Sequence, residues 1–298
     1  MARNIVACLA TLVVLGGMLA LLNFAEPHLK EVTNKPSPQS IETFRFTPQR
    51  ELKLHLYEPV RTRDHEDETG RPAIVLFYGG GWIGGDIHQF RSQSAALAER
   101  GVVAIRAEYR TEQPDGTTPF QALVDALYAV AWVRANAERL GIDPQRIAVG
   151  GGSAGGHLAA ACATLPDDKL SELAPALTAS PRPNALVLFN PVLDNGPGPT
   201  AFAFDRIGED YGWFSPAHNV RPGMPPTLIM LGTNDHLVPV SVATDFRDAM
   251  LAYGDTCEVE LYEGEAHGFF NDQPGKEAMF AATLQRTITF LEDQGWID

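Results

Sequence analysis

The chain predicts an α/β fold, a mostly parallel, twisted sheet of about eight strands flanked by helices. Continuous apolar runs at residues 73–77, 102–105, 185–189 and 228–231 suit strands covered on both faces. Segments with helical spacing lie between them, clearest at residues 120–140, where Leu123, Leu127, Val130, Ala131 and Arg134 follow a period near 3.6. Two of the runs break directly into glycine-bearing turns, at Gly79 and Gly232. Strands alternating with helices call for right-handed crossovers, which build such a sheet.

In chain order, Arg3 precedes an uncharged apolar stretch from Ile5 to Leu22. That is a signal peptide or an N-terminal membrane anchor, since about twenty apolar residues can cross a bilayer. The segment 1–25 is therefore expected to direct export, to the outside or periplasm, with the leader either cleaved or kept. Residues 26–41 are polar and proline-bearing and predict a linker. The catalytic domain is expected over 42–298.

Residues 44–46 and 51–57 alternate apolar and polar side chains and predict two antiparallel edge strands. A charged turn is expected at 61–71. After the strand at 73–77 come helices at about 89–100 and 120–140, and Asp143-Pro144 predicts a turn before the strand that ends at Ser153. Residues 166–183 predict a loop, and 195–226 an irregular segment with Phe202, Phe204, Tyr211, Trp213 and Phe214. A strand at 227–231, a helix at 241–253, a strand at 258–262 and a helix at about 276–294 close the chain.

Composition narrows the functions available. The sequence is 45% hydrophobic and 20% charged, enough for a sizeable core. Its net charge is −14, and without a basic cluster it is a poor partner for a phosphate backbone. Nucleic acid is not expected. Three cysteines occur. With Cys8 in the leader, Cys162 and Cys257 are left either as a disulfide or, more simply, as two buried thiols. No Cys/His spacing suggests a metal.

Gly151-Gly152-Ser153-Ala154-Gly155 reads Gly-x-Ser-x-Gly, a serine on a tight strand-to-helix turn. The pattern alone fits a phosphate cradle equally well. Its partners decide: Gly79–Gly81, Asp235 and His267 each follow a strand, so all four features fall at the C-terminal edge of the sheet. A serine hydroxyl needs a base, which His267 supplies, while Asp235 holds the imidazole tautomer. Gly80, Gly81 and the amide of Ala154 are assigned to an oxyanion hole, each donor contributing about 3 kcal/mol in the transition state. Asp194 is the alternative acid. Asp125 on the long helix reads as structural, and His157 as packing beside the turn. Trp82, Trp213 and Phe214 read as either pocket wall or core.

Gly79-Gly80-Gly81-Trp82, with Gly151–Gly156, Asp235 and His267, resembles the hormone-sensitive-lipase-like esterases of the α/β-hydrolase superfamily over essentially the whole chain from about residue 42. Residues 53–59, Lys-Leu-His-Leu-Tyr-Glu-Pro, are similar to exported carbohydrate-acyl esterases within that group. The resemblance implies a cofactor-free carboxylic ester hydrolase acting through an acyl-enzyme, with a small or absent cap. It points to short-chain acyl esters, among them acetyl esters of carbohydrates. A general carboxylesterase for small or lipid-like esters and a catalytically dead binding module are the rival readings. One departure stands out: the family has His before the three glycines, and this chain has Tyr78.

Overall fold

The computed structural model describes residues 37–59 and 70–298. The expected leader (1–25), most of the linker and the charged turn up to residue 69 lie outside the described residues. The strands are β1 (Ser40–Phe46), β2 (Glu51–Tyr57), β3 (Arg71–Phe77), β4 (Val103–Ala107), β5 (Ile142–Gly152), β6 (Ala185–Phe189), β7 (Thr227–Gly232) and β8 (Cys257–Tyr262). They form one sheet in the order β1-β2-β4-β3-β5-β6-β7-β8. From β4 to β8 every neighbour is parallel, and β2 runs antiparallel to both β1 and β4. Only β1 of the expected edge pair is an edge, because β2 is sandwiched between β1 and β4. The domain also starts earlier than the expected boundary at 42, since Ser40 and Ile41 already pair with Leu56 and His55.

Five principal helices cover the sheet: α1 (Arg91–Glu99), α2 (Pro119–Ala135), α3 (Ala154–Thr164), α4 (Val240–Ala252) and α5 (Glu277–Asp293). The period-two geometry of a strand splits the core cleanly. On β3, Ala73, Val75 and Phe77 face a core shared with Leu127 of α2, Leu158 of α3 and Phe246 of α4. Ile74 and Leu76 face the other core, with Leu97 of α1 and Phe290 of α5. Both faces being covered explains why β3 reads as an uninterrupted apolar run.

Three local expectations change. The helix expected at 120–140 breaks at Asn136, whose side-chain amide donates to the Trp132 carbonyl at 2.8 Å and so competes with the helical ladder. The Asp143-Pro144 turn is a bulge inside β5. Ile142 pairs with Arg71 and Ile147 with Ala73, and the Gln145 amide closes onto Asp143 Oδ1 at 2.8 Å. Within the expected loop at 166–183, Asp167–Leu173 forms a short helix. Two aspartates in its first turn complement the helix dipole.

Asp125 is structural, as expected. Its fully buried carboxylate accepts from Arg110 Nε at 2.8 Å, from Arg110 Nη2 at 2.9 Å and from Arg45 Nη1 at 2.6 Å. This network ties α2 to β1 and to the segment after β4. Cys162 and Cys257 are both free and buried, and burial pushes each thiol up to about 12. Among the described residues no helix is long and apolar enough to cross a membrane.

Candidate active site

Register brings the functional edge together. Gly151 lies beside Phe77, Gly152 beside Phe189, Phe189 beside Met230 and Gly232 beside Tyr262. The loops that follow β3, β5, β6, β7 and β8 therefore leave the sheet as neighbours.

Ser153 sits between β5 and α3 at φ 54° and ψ −119°, a conformation rare for a residue with a Cβ. The turn is tight enough to dictate its neighbours. A Cβ on Gly155 would lie 2.1 Å from the Phe77 carbonyl oxygen, and one on Gly151 would lie 2.5 Å from the Gly155 backbone. Glycine at both positions is a steric demand, which is why the five-residue pattern is legible. The turn is held by the Ser153 amide donating to the Phe189 carbonyl at 3.0 Å. The Ser153 carbonyl in turn accepts from Val192 at 3.1 Å and from His157 at 3.0 Å. Half-buried Ser153 thus faces solvent at the N-terminus of an eleven-residue helix, where the helix dipole favours negative charge.

Asp235 and His267 meet at this edge. Asp235, with its side chain fully buried, accepts from His267 Nδ1 at 2.7 Å on Oδ2. Its Oδ1 accepts from the amides of Leu237 at 2.8 Å and Val238 at 3.0 Å. Burial alone would raise this carboxyl. The hydrogen bonds from His267, Val238 and Leu237 outweigh it and hold Asp235 below the usual carboxylate range. The turns themselves are zipped, with Thr233 donating to the Tyr262 carbonyl and Asn234 to the Glu265 carbonyl, both at 2.9 Å. With Nδ1 donating to the carboxylate, the neutral imidazole of His267 carries its lone pair on Nε2.

The alternative acid is occupied elsewhere. Asp194 accepts from the Gly196 amide at 2.8 Å and from Thr200 Oγ1 at 3.2 Å, and lies 3.7 Å from His218 Nδ1. Ser215 Oγ is 3.0 Å from that same Nδ1. This second serine–histidine–aspartate grouping is not a relay, since acid and hydroxyl share one nitrogen and the buried Ser215 donates to the Leu193 carbonyl.

The loop after β3 carries Gly80 and Gly81, and among the described residues their amides donate to no protein acceptor. A Cβ on Gly79 would lie 3.2 Å from Ser153 Cβ, so the loop runs beside the serine. Tyr78, where the resemblance leads one to expect His, holds the loop through Tyr109. Its hydroxyl donates to the Tyr109 carbonyl at 2.9 Å, the Tyr109 hydroxyl donates to the Tyr78 carbonyl at 2.7 Å, and the rings stack at 4.2 Å. Burial raises the Tyr78 phenol to about 12, so it remains a donor at neutral pH. Gln89 accepts from the Gly79 amide at 2.7 Å, and Arg206 donates to the Gly81 carbonyl at 2.6 Å. Tyr109, Gln89, Arg206 and Asn190 carry no motif, and the sequence reading did not find them.

The sequence matches the model of a family described by its α/β-hydrolase fold over residues 74–271, a span that contains the serine turn, the amide loop and the His267–Asp235 contact. The chain belongs to the α/β-hydrolase fold family. This hydrolase is similar to esterase 2 of the planctomycete Thermogutta terrifontis. In the propionate-bound form it is 37% identical, the match covering 88% of this chain and 96% of that one, with a TM-score of 0.79. It is 32% identical over 202 residues to the probable carboxylic ester hydrolase LipM of Mycobacterium tuberculosis, which covers 62% of this hydrolase and 46% of LipM. With carboxylesterase NlhH of the same species it shares 28% over 240 residues, 74% of this chain and 72% of NlhH. The hydrolase thus spans about half the length of LipM.

His157 is fully buried, 3.1 Å from the Phe214 carbonyl through Nε2, and burial lowers its pKa to about 3. Trp82 and Phe214 pack around it as core. Trp213 is half-buried against Phe120. His236 is exposed, and His55 pairs with Glu108 at 3.0 Å. A cavity of about 280 Å³ lined by Ala163, Arg182 and Arg221 lies at the far end of α3. Ten residues at ~1.5 Å each separate it from Ser153, about 15 Å, and its arginines cap the carbonyls of Cys162, Ala163 and Leu165. Among the described residues no group of three or more His, Cys, Asp or Glu is placed to hold a metal.

Proposed function

We propose that this hydrolase is a serine carboxylic ester hydrolase that acts on short-chain acyl esters through an acyl-enzyme. The observation that carries the proposal is the 2.7 Å His267–Asp235 contact on the sheet edge that presents the strained Ser153 turn. Ser153 Oγ attacks the ester carbonyl as its proton passes to His267 Nε2, and Asp235 stabilises the imidazolium. The oxyanion is met by the amides of Gly80, Gly81 and Ala154. Collapse expels the alcohol, which takes the proton from His267. Water, deprotonated by the same nitrogen, then releases the acid.

Two observations support a short acyl group. The esterase of T. terrifontis has been seen with propionate and with butyrate bound. In this hydrolase a Cβ on Gly81 would lie 3.8 Å from the tip of Phe202, so that ring closes the space beside the amide loop. Carbohydrate acetates are the narrower version of the reading. Of residues 53–59, which carried that resemblance, 53–57 lie on β2, separated from β5 by β4 and β3, and do not line the reaction site. A panel of p-nitrophenyl esters from acetate to decanoate, run beside acetylated sugars, is expected to favour two to four acyl carbons. Phe202→Ala is expected to move the preference to longer chains by about tenfold or more in kcat/KM for each methylene newly accommodated, given the roughly 1–3 kcal/mol worth of one methylene in an apolar pocket. A wild-type preference for decanoate would refute the short-acyl reading, and indifference to sugar would remove carbohydrate.

Export is proposed on the apolar stretch from Ile5 to Leu22. Fractionation of the producing cell is expected to find the protein outside the cytosol, and full recovery in the cytosol would refute it.

A further inference from the structure

We propose that Asn190 is a positioning residue for His267, holding the imidazole from the side opposite Asp235 and leaving its transferred proton no resting place except the departing alcohol. The inference rests on the triad reading. Asn190 is the first residue after β6, is completely buried, and has φ 35°. That left-handed region is costly for a residue with a Cβ, and asparagine tolerates it better than most. Its backbone amide donates to the Met230 carbonyl of β7 at 2.7 Å, which fixes the side chain's origin between β5 and β7.

The orientation of the side-chain amide follows from its partners. Oδ1 lies 2.9 Å from the Gly268 amide nitrogen, and a backbone N–H can only donate, so the oxygen must face it. The NH2 group then faces His267 Nε2 at 3.4 Å. Since Nδ1 donates to Asp235, Nε2 is the acceptor, and this long contact is one the Ser153 hydroxyl can displace. One side chain thereby braces both the ring and the turn that carries it. The same segment holds the nucleophile, because the Phe189 carbonyl accepts from the Ser153 amide and the Val192 amide donates to the Ser153 carbonyl.

The chemistry gives the choice of amide over carboxylate a meaning. When Ser153 attacks, its O–H bond breaks, an oxygen electron pair forms the bond to the acyl carbon, the carbonyl π pair moves onto its oxygen as the oxyanion, and the proton becomes Nε2–H. That N–H now faces the Asn190 NH2, a donor with nothing to accept it. Apart from Oγ itself, whose reprotonation merely reverses the attack, the leaving oxygen is the acceptor that remains. An aspartate at 190 keeps the bond to Gly268 and the side-chain size but offers Nε2–H a competing acceptor.

Two variants test this, with kcat/KM measured for p-nitrophenyl propionate and methyl propionate. Nitrophenolate departs unprotonated, whereas methoxide needs the proton from His267. Asn190→Asp is expected to lose about tenfold more on the methyl ester than on the nitrophenyl ester, a split that a purely structural role would not produce. Asn190→Gly, which relieves the backbone and deletes the amide, is expected to lose about 10- to 100-fold in kcat on both esters with KM little changed, the scale of a misplaced catalytic group. Equal losses on the two esters for Asn190→Asp, or wild-type kcat for Asn190→Gly, would overturn the proposal. Ser153→Ala run in parallel separates the layers. Its inactivity beside unaffected Asn190 variants rejects only the role of Asn190, and its survival rejects the triad and the role together.

Discussion

Ser153→Ala is expected to lower kcat for a short-chain ester by about 10⁶, the scale seen when a catalytic serine is removed from a comparable triad. The size of the loss follows from the chemistry. Without Oγ there is no acyl-enzyme, and the remaining route is attack by water, for which neither the strained turn nor the helix N-terminus is arranged. Some rate enhancement is expected to persist, because the amides proposed to meet the oxyanion, those of Gly80, Gly81 and Ala154, are untouched by the substitution. KM is expected to change little, since the hydroxyl contributes little to ground-state binding. The T. terrifontis esterase has been captured phosphorylated by paraoxon, so the same reagent supplies a second measurement. Mass spectrometry of the treated protein should place the phosphoryl group on the peptide containing Ser153, with no adduct in the alanine variant. Residual turnover within a hundredfold of wild type, or an adduct on another peptide, would reject Ser153 as the nucleophile.

The second large effect concerns the acid. Asp235→Asn is expected to reduce kcat by about 10⁴, as for the corresponding change in other serine triads. The Leu237 and Val238 amides both point at Oδ1, so an asparagine there keeps its oxygen on them and turns its NH2 toward His267. Two donors would then face each other across 2.7 Å. The ring would have to move its proton to Nε2, the nitrogen that must accept from Ser153. Asp194→Asn is the matched control, expected within about threefold of wild type, because Asp194 serves Gly196 and Thr200. A profile in which Asp194→Asn is the damaging change would reassign the acid.

The residues that answer to motifs were those under local constraint. Gly151 and Gly155 are legible because the turn at Ser153 leaves no room for a Cβ. Asp235 and His267 are legible because each follows a strand on a sheet whose C-terminal edge collects function. The break at Asn136, the bulge at Asp143 and the inward place of β2 were missed, since each depends on a partner far away in sequence or on a side chain competing with the backbone. Asn190 was missed for the same reason. Its neighbours in the chain, Phe189 and Pro191, say nothing about His267, 77 residues on.

By itself the sequence determined the α/β class, the parallel sheet and the identity of the serine turn, because apolar runs, helical periods and steric intolerance of a Cβ are local properties. Only the tertiary structure decided between Asp194 and Asp235 as partner of His267, showed Tyr78 clasped to Tyr109 beneath the amide loop, and put Asn190 against the imidazole. Those outcomes turn on where two hydrogen-bonding groups come to rest after strands distant in sequence have paired, and no local pattern encodes that distance.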